Sequence, residues 1–225
     1  MSLADRLWVV SAGFGKDRFV KKAARLRDEL GVVSDDLHIT VYVGALPPSC
    51  PPHKAAPYAC KLFAIQEAVA SGARYVLWLD AGMRVHKPLT PILDEIRTRG
   101  YWFRRRPRGG GETIAKWGHP SLWLPLNISQ EQAGEIRTCL PGAFGLDVRH
   151  PKGALLFQRL TWAYQAGVYH TLNPNYPPAT ELLVFSALTH ELGLKSMKHP
   201  EWVHWRKGPV PEAAILQCPA LRPRV

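Results

Sequence analysis

Long apolar runs are the first thing this sequence lacks. No stretch of its 225 residues approaches the roughly 20 apolar residues that a membrane-spanning helix needs. The N-terminal MSLADRLWVV carries Asp5 and Arg6 where a signal peptide would continue its apolar core. No membrane anchor is therefore expected, and a cytoplasmic location is. Cysteine is also sparse: Cys50, Cys60, Cys139 and Cys218 form no CxxC pair, which argues against a disulfide scaffold and suits reduced thiols. Cys50-Pro-Pro-His53 has the spacing of half a zinc site, but no second ligand pair follows it, so it reads as part of a proline-rich loop. Acidic residues are in deficit as well. Eighteen Asp and Glu against 29 Lys and Arg give a formal net charge of +11, which favours polyanionic partners such as nucleic acid, anionic lipid or phosphorylated sugars without choosing among them.

What is present is a hydrophobic fraction of 46%, enough for one sizeable core, and no linker long enough to divide the chain. A single domain over 1–225 is expected. Leu7 to Val10 reads as a strand that breaks at Ser11-Ala12-Gly13-Phe14-Gly15. Phe19, Ala23, Leu26 and Leu30 then share one helical face, with Gly31 as the expected stop. Leu37 to Val43 reads as a second strand, Pro47 to Pro57 as a surface loop, and Tyr58, Leu62, Ile65 and Val69 as the next helix. Tyr75 to Leu79 is apolar on both faces, as a strand inside a parallel sheet should be. Further on, Leu89 to Arg99 reads as helix, Tyr101 to Arg105 as strand, Arg106 to Gly111 as a basic loop and Ala143 to Val148 as strand. Helices over Pro151 to Ala166 and Ala179 to Leu192 precede a basic, aromatic tail. Strands alternating with helices predict an α/β fold with a central, mostly parallel sheet and a basic C-terminal segment.

The loop Gly13-Phe14-Gly15-Lys16-Asp17-Arg18 fails both glycine-rich phosphate motifs. Arg18 replaces the third glycine of GxGxxG, while Val10 and Asp17 break the Walker pattern. Backbone amides at a helix start still favour anions, so Ser11, Ala12 and Gly13 stand as candidates for contact with a nucleotide; a plain β-to-α turn is the alternative. Asp80 is the more pointed signal. Open α/β sheets collect ligands at the carboxyl ends of their strands, and an acid there is placed to hold a divalent cation against a diphosphate. Asp80-Ala81-Gly82 is equally good turn chemistry.

The segment VLWLDAGMRVHKPLTPILDEI resembles that of GT-A-fold glycosyltransferases in which an apolar strand ends in an Asp-x-Asp motif, followed by Pro-Leu and a helix. Pro57 to Ile65 resembles the segment in small bacterial and phage members where a lysine, here Lys61, opens the preceding helix. Pro141 to Asp147 resembles the acceptor-side strand, and Thr180-Glu181-Leu182-Leu183 the helix that begins with an acid near the reacting sugar. The likeness spans about residues 5 to 207. It implies a Rossmann-like GT-A domain that moves a sugar from a nucleoside-diphosphate sugar, by family frequency a UDP-sugar, to a hydroxyl. It further implies a donor-binding half over about 1–100 and an acceptor-binding half over about 101–225.

The chain departs from the pattern at Gly82, where the family has its second carboxylate. Three ways to complete the site are open: His204 joins Asp80 on a divalent cation such as Mn²⁺ or Mg²⁺; the diphosphate and water supply the missing oxygens; or Lys and Arg neutralise the diphosphate without metal. Asp80, Ala81, Gly82, Lys61 and Lys207 are thus donor-side candidates. Glu181 and Asp147 are candidates for the acid or base work at the acceptor hydroxyl; a helix-dipole acid and a turn residue are their plain alternatives. From Arg97 to Arg108 six arginines occur with no acid, with Tyr101, Trp102 and Phe103 among them. Trp102, Arg104, Arg105, Arg106 and Arg108 are therefore candidates for gripping a polyanionic acceptor. Phage enzymes that glycosylate hydroxymethylated bases in DNA fit this profile, with double-stranded or modified DNA as partner. A transferase acting on lipopolysaccharide or another glycan, and a non-catalytic nucleic-acid binder on the same scaffold, are the rivals.

Overall fold

Five consecutive residues buried on both faces make Tyr75–Leu79 the middle of the sheet. The computed structural model describes residues 5–33, 36–56, 58–105, 113–118, 120, 123–168, 180–196, 203–205 and 215–217. In chain order the elements are β1 (Leu7–Gly13), α1 (Asp17–Val33), β2 (Leu37–Val43), α2 (Cys60–Ala70), β3 (Tyr75–Leu79), β4 (Met83–Val85), α3 (Thr90–Arg99) and β5 (Tyr101–Arg105). They continue with α4 (Ile114–Trp117), α5 (Gln130–Glu135), β6 (Cys139–Asp147), α6 (Pro151–Gln165), α7 (Thr180–Glu191), β7 (Val203–Trp205) and β8 (Ile215–Gln217). No helix among the described residues is long and apolar enough to cross a membrane.

The main sheet has the order β2-β1-β3-β6-β5. β1 pairs in parallel with β2 and β3, while β6 runs antiparallel to both β3 and β5. Four strands therefore share one direction, and β6 opposes them. Alternation along β3 feeds two cores. Val76 and Trp78 join the apolar side chains of α2, α6 and α7 on one face, while Tyr75, Leu77 and Leu79 meet those of α1 and α3 on the other. Gly13 ends β1 where a Cβ would stand 2.3 Å from the Phe19 carbonyl oxygen, so glycine permits the close approach of α1.

Several sequence expectations change. Gly31 does not stop α1, which runs to Val33, and Phe19 lies 38% exposed instead of on the buried face. β6 begins at Cys139 rather than Ala143. Its opening residues are irregular: Phe103 pairs with Phe144 but Arg104 with Leu140, so Pro141, Gly142 and Ala143 bulge out of the ladder with β5. A second sheet, of order β4-β8-β7, was not foreseen. β4 pairs antiparallel with β8, and β8 pairs in parallel with β7, which ties the C-terminal residues to the segment just after Asp80.

Candidate functional site

The strand direction puts the C-terminal ends of β1, β2 and β3 at one edge, and the bulged start of β6 joins them there. Asp80 follows β3 directly. Its N–H donates to the Gly142 carbonyl at 2.8 Å, and its own carbonyl accepts from Met83 N–H at 2.8 Å, closing a tight turn through Ala81 and Gly82. By the alternation of β3 the Asp80 side chain falls on the face of Trp78, whose indole donates to Asp80 Oδ1 at 2.9 Å. Gly142 makes room for it, since a Cβ there would lie 2.9 Å from Asp80 Oδ2.

Lys61 reaches this point from the first turn of α2. Its ammonium lies 2.7 Å from Asp80 Oδ1, pairs with the carboxylate of Glu181 at the start of α7, and donates to the Pro141 carbonyl at 3.2 Å. Lys61 and Glu181 are buried, whereas the Asp80 side chain is 37% exposed, so the ion system opens to solvent through Asp80. Burial pushes the Glu181 carboxyl up to about 7, against the opposing pull of Lys61. Burial alone would lower the Lys61 ammonium, but Asp80 and then Glu181 offset this and hold it above the usual lysine value. Three side chains 19 to 120 residues apart in sequence thus form one largely buried charge cluster, with one carboxyl poised near neutrality. Tyr58, three residues before Lys61, adopts a left-handed φ of 65°, a strained backbone for an aromatic residue, and burial together with Glu181 raises its phenol.

The other candidates are distributed differently. Ser11 is fully buried and its hydroxyl has no hydrogen-bond partner among the described residues; Ala12 packs against the core and Gly13 against α1, so these three approach the edge through backbone alone. Ala81 is buried and Gly82 half-buried in the turn. Asp147 requires correction. Because β6 is antiparallel, Asp147 pairs with Tyr75 at the start of β3, five residues or about 16 Å from Asp80. It is fully buried there, takes three hydrogen bonds from Arg74 at 3.0 to 3.2 Å and one from the Arg149 N–H at 2.9 Å, and is a structural ion pair. Trp102 is corrected too, since it is buried with Leu77, Ile96 and Ala143 and presents no surface to an acceptor.

The arginine run does not form one patch. Arg97 and Arg99 lie at the end of α3, at the edge with Asp147, whereas Arg104 and Arg105 close β5 at the edge with Asp80. Arg104 is half-buried, its Nη1 has no hydrogen-bond partner among the described residues, and burial lowers its pKa to about 10. Arg106, Arg108 and Lys207 lie outside the described residues. The backbone of His204 sits in β7, in register through Leu216 with Arg84, while its side chain is outside the described set. Cys50 Sγ donates to the Pro51 carbonyl at 3.4 Å and His53 packs between Phe14 and Tyr58, so the Cys50-Pro-Pro-His53 segment turns its side chains to other partners. Burial raises the Cys50 thiol to about 11 and the Cys60 thiol to about 12, which keeps both protonated.

A divalent cation is not matched by the described residues. They contain no cluster of three or more His, Cys, Asp or Glu able to hold one. Asp80 offers one carboxylate, with Oδ1 already taken by Lys61 and Trp78. What the sequence reading missed is the contribution of β6: the carbonyls of Pro141 and Gly142 that anchor Lys61 and Asp80 come from a bulge, for which the Pro-Gly pair was the available signal.

Neither a scan against models of protein families nor a search of curated proteins finds a match. Solved structures do match. One is a glycosyltransferase involved in the glycosylation of the major capsid of PBCV-1, with a TM-score of 0.50 and 15% identity, covering 96% of this chain and 95% of that one. A more distant one is the galactosyltransferase LgtC in complex with donor and acceptor sugar analogs, with a TM-score of 0.47 and 10% identity over 93% and 86% of the two chains. The chain has the mixed α/β architecture of the GT-A glycosyltransferases, with its five-stranded, mostly parallel sheet in one domain.

Proposed function

We propose that this chain is a glycosyltransferase that moves a hexose from a nucleoside-diphosphate sugar, in the first instance a UDP-sugar, to a hydroxyl on a polyanionic acceptor. The observation that carries the reading is the convergence of Lys61, Asp80 and Glu181 at the carboxyl edge of a GT-A-like sheet. In the reaction the bond from the anomeric carbon to the diphosphate breaks, a bond to the acceptor oxygen forms, and the hydroxyl proton must go to a base. Glu181, with its carboxyl near 7, is suited to take that proton, and Lys61 holds Glu181 and Asp80 in fixed relation. The half over 1–100 then serves the donor and the half over 101–225 the acceptor.

For the acceptor we propose DNA bearing hydroxymethylated bases. The net charge of +11 supports a polyanion, as does Arg104, a half-buried guanidinium at the end of β5 whose Nη1 is unpartnered among the described residues. The test is to incubate the protein with a panel of UDP-sugars and DNA containing 5-hydroxymethylcytosine, with and without Mn²⁺, and weigh the released nucleosides. A hexose increment is expected. Transfer to oligosaccharides but not to DNA would replace the acceptor, and DNA binding with no transfer from any donor would leave only a nucleic-acid binder.

A further inference from the structure

Asp80 stands at the edge where this fold would hold a metal ion, yet most of the oxygens around it are already engaged. Asp80 Oδ1 accepts from both Lys61 and Trp78. The Asp80 carbonyl accepts from Met83 N–H, the Gly142 carbonyl from Asp80 N–H and the Pro141 carbonyl from Lys61. The carbonyls of Ala81 and Met83 accept from Arg25 Nη2 of α1 at 3.4 and 2.7 Å. Among the described residues, Asp80 Oδ2 and the Gly82 carbonyl are the oxygens of the turn from Asp80 to Met83 left without such a donor. Two cationic groups, Lys61 and Arg25, therefore grip the segment that would have to receive a third cation. Hard divalent ions need several oxygen ligands and gain little at a site holding one carboxylate beside an ammonium.

Space is not the reason for the missing carboxylate. A Cβ at Gly82 would have no heavy atom of the described residues within 4 Å, and the Gly82 backbone is not in the left-handed region. An aspartate would fit there, so glycine at this position leaves the site chemically, not sterically, short of ligands.

We propose that Asp80 is the counter-ion of Lys61 and does not ligate a divalent cation, so that a diphosphate held at this edge is neutralised by basic side chains of the chain itself. The second half of this statement rests on the transferase reading; the first does not. The experiment titrates Mn²⁺ into the full chain, alone and with UDP, and reads free Mn²⁺ by electron paramagnetic resonance. Wild type and Asp80→Asn are expected to leave equal free Mn²⁺, and UDP is expected to bind equally in EDTA and in Mn²⁺. Gly82→Asp is expected to tighten Mn²⁺ retention by about tenfold or more, because affinity follows the number of charged ligands. Retention by the wild type that Asp80→Asn abolishes would overturn the proposal. A Gly82→Asp protein, folded by circular dichroism, that holds Mn²⁺ no better than wild type would overturn the claim that the absent carboxylate sets the site apart. If UDP binds in neither buffer, the transferase reading fails, while the Mn²⁺ titration of the protein alone still decides the role of Asp80.

Discussion

Asp147 and Glu181 are both buried carboxylates paired with a basic side chain, one at each edge of the sheet, and they are satisfied differently. Asp147 has Arg74 on both oxygens and a backbone N–H besides. Glu181 must share a single ammonium with Asp80, and burial moves its carboxyl to about 7. A saturated pair locks a corner of the fold. An under-supplied one leaves a group able to change protonation near neutral pH, which is what proton transfer needs.

Removing the shared cation should separate the two edges most sharply. Lys61→Met leaves Asp80 and Glu181 facing each other, and transfer is expected to fall by about 10³-fold, measured as kcat/KM. Asp147→Asn should behave oppositely. It breaks a buried pair, so urea unfolding should show a loss of about 3 kcal/mol. Transfer by the folded fraction should stay within about twofold, given the distance between the edges.

Glu181→Gln tests the titration itself and is expected to cost about 10²-fold in transfer. In the wild type kcat/KM should rise with pH through about 7 as Glu181 ionises, and the variant should lose that rise. The stability sign is fixed by the upward shift. The folded protein holds a proton that the unfolded chain releases above about 4.5, so this contribution is full below 4.5 and is lost as pH rises to about 7. Thermal melts between those pH values should show that decline in the wild type and not in Glu181→Gln.

Two glycines give smaller and unequal effects. Gly142→Ala brings a Cβ within 2.9 Å of Asp80 Oδ2 and 3.0 Å of Met83 Cε, which should displace Asp80 and reduce transfer about tenfold. Gly82→Ala meets nothing among the described residues, and should change stability by no more than about 0.5 kcal/mol. Equal effects from the two would break the view that Asp80 is held against β6.

Much of the frame was legible in the residues. The strands at Leu37–Val43, Tyr75–Leu79 and Tyr101–Arg105 have the bounds read from the residues, and in Tyr75–Leu79 two-sided burial writes itself into five consecutive apolar residues. β4, β7 and β8 were not legible, since three residues carry no period and the pairing of β4 with β8 joins segments more than 100 residues apart. Lys61, Asp80 and Glu181 could be named individually from helix starts and a strand end. Their meeting could not, because it runs through a bulge in β6 whose carbonyls anchor both Lys61 and Asp80.

The clearest division lies in β6. Its residues point to a buried strand with an acid near its end, and those of β3 to a buried strand followed directly by an acid. Burial and periodicity are properties of a segment and are the same whichever way it runs. Direction belongs to the pairing, and pairing is non-local. Running β6 against β3 sends Asp147 to the closed edge with Arg74, leaves Asp80 at the open one, and turns two similar sequence signals into a structural ion pair and a candidate site.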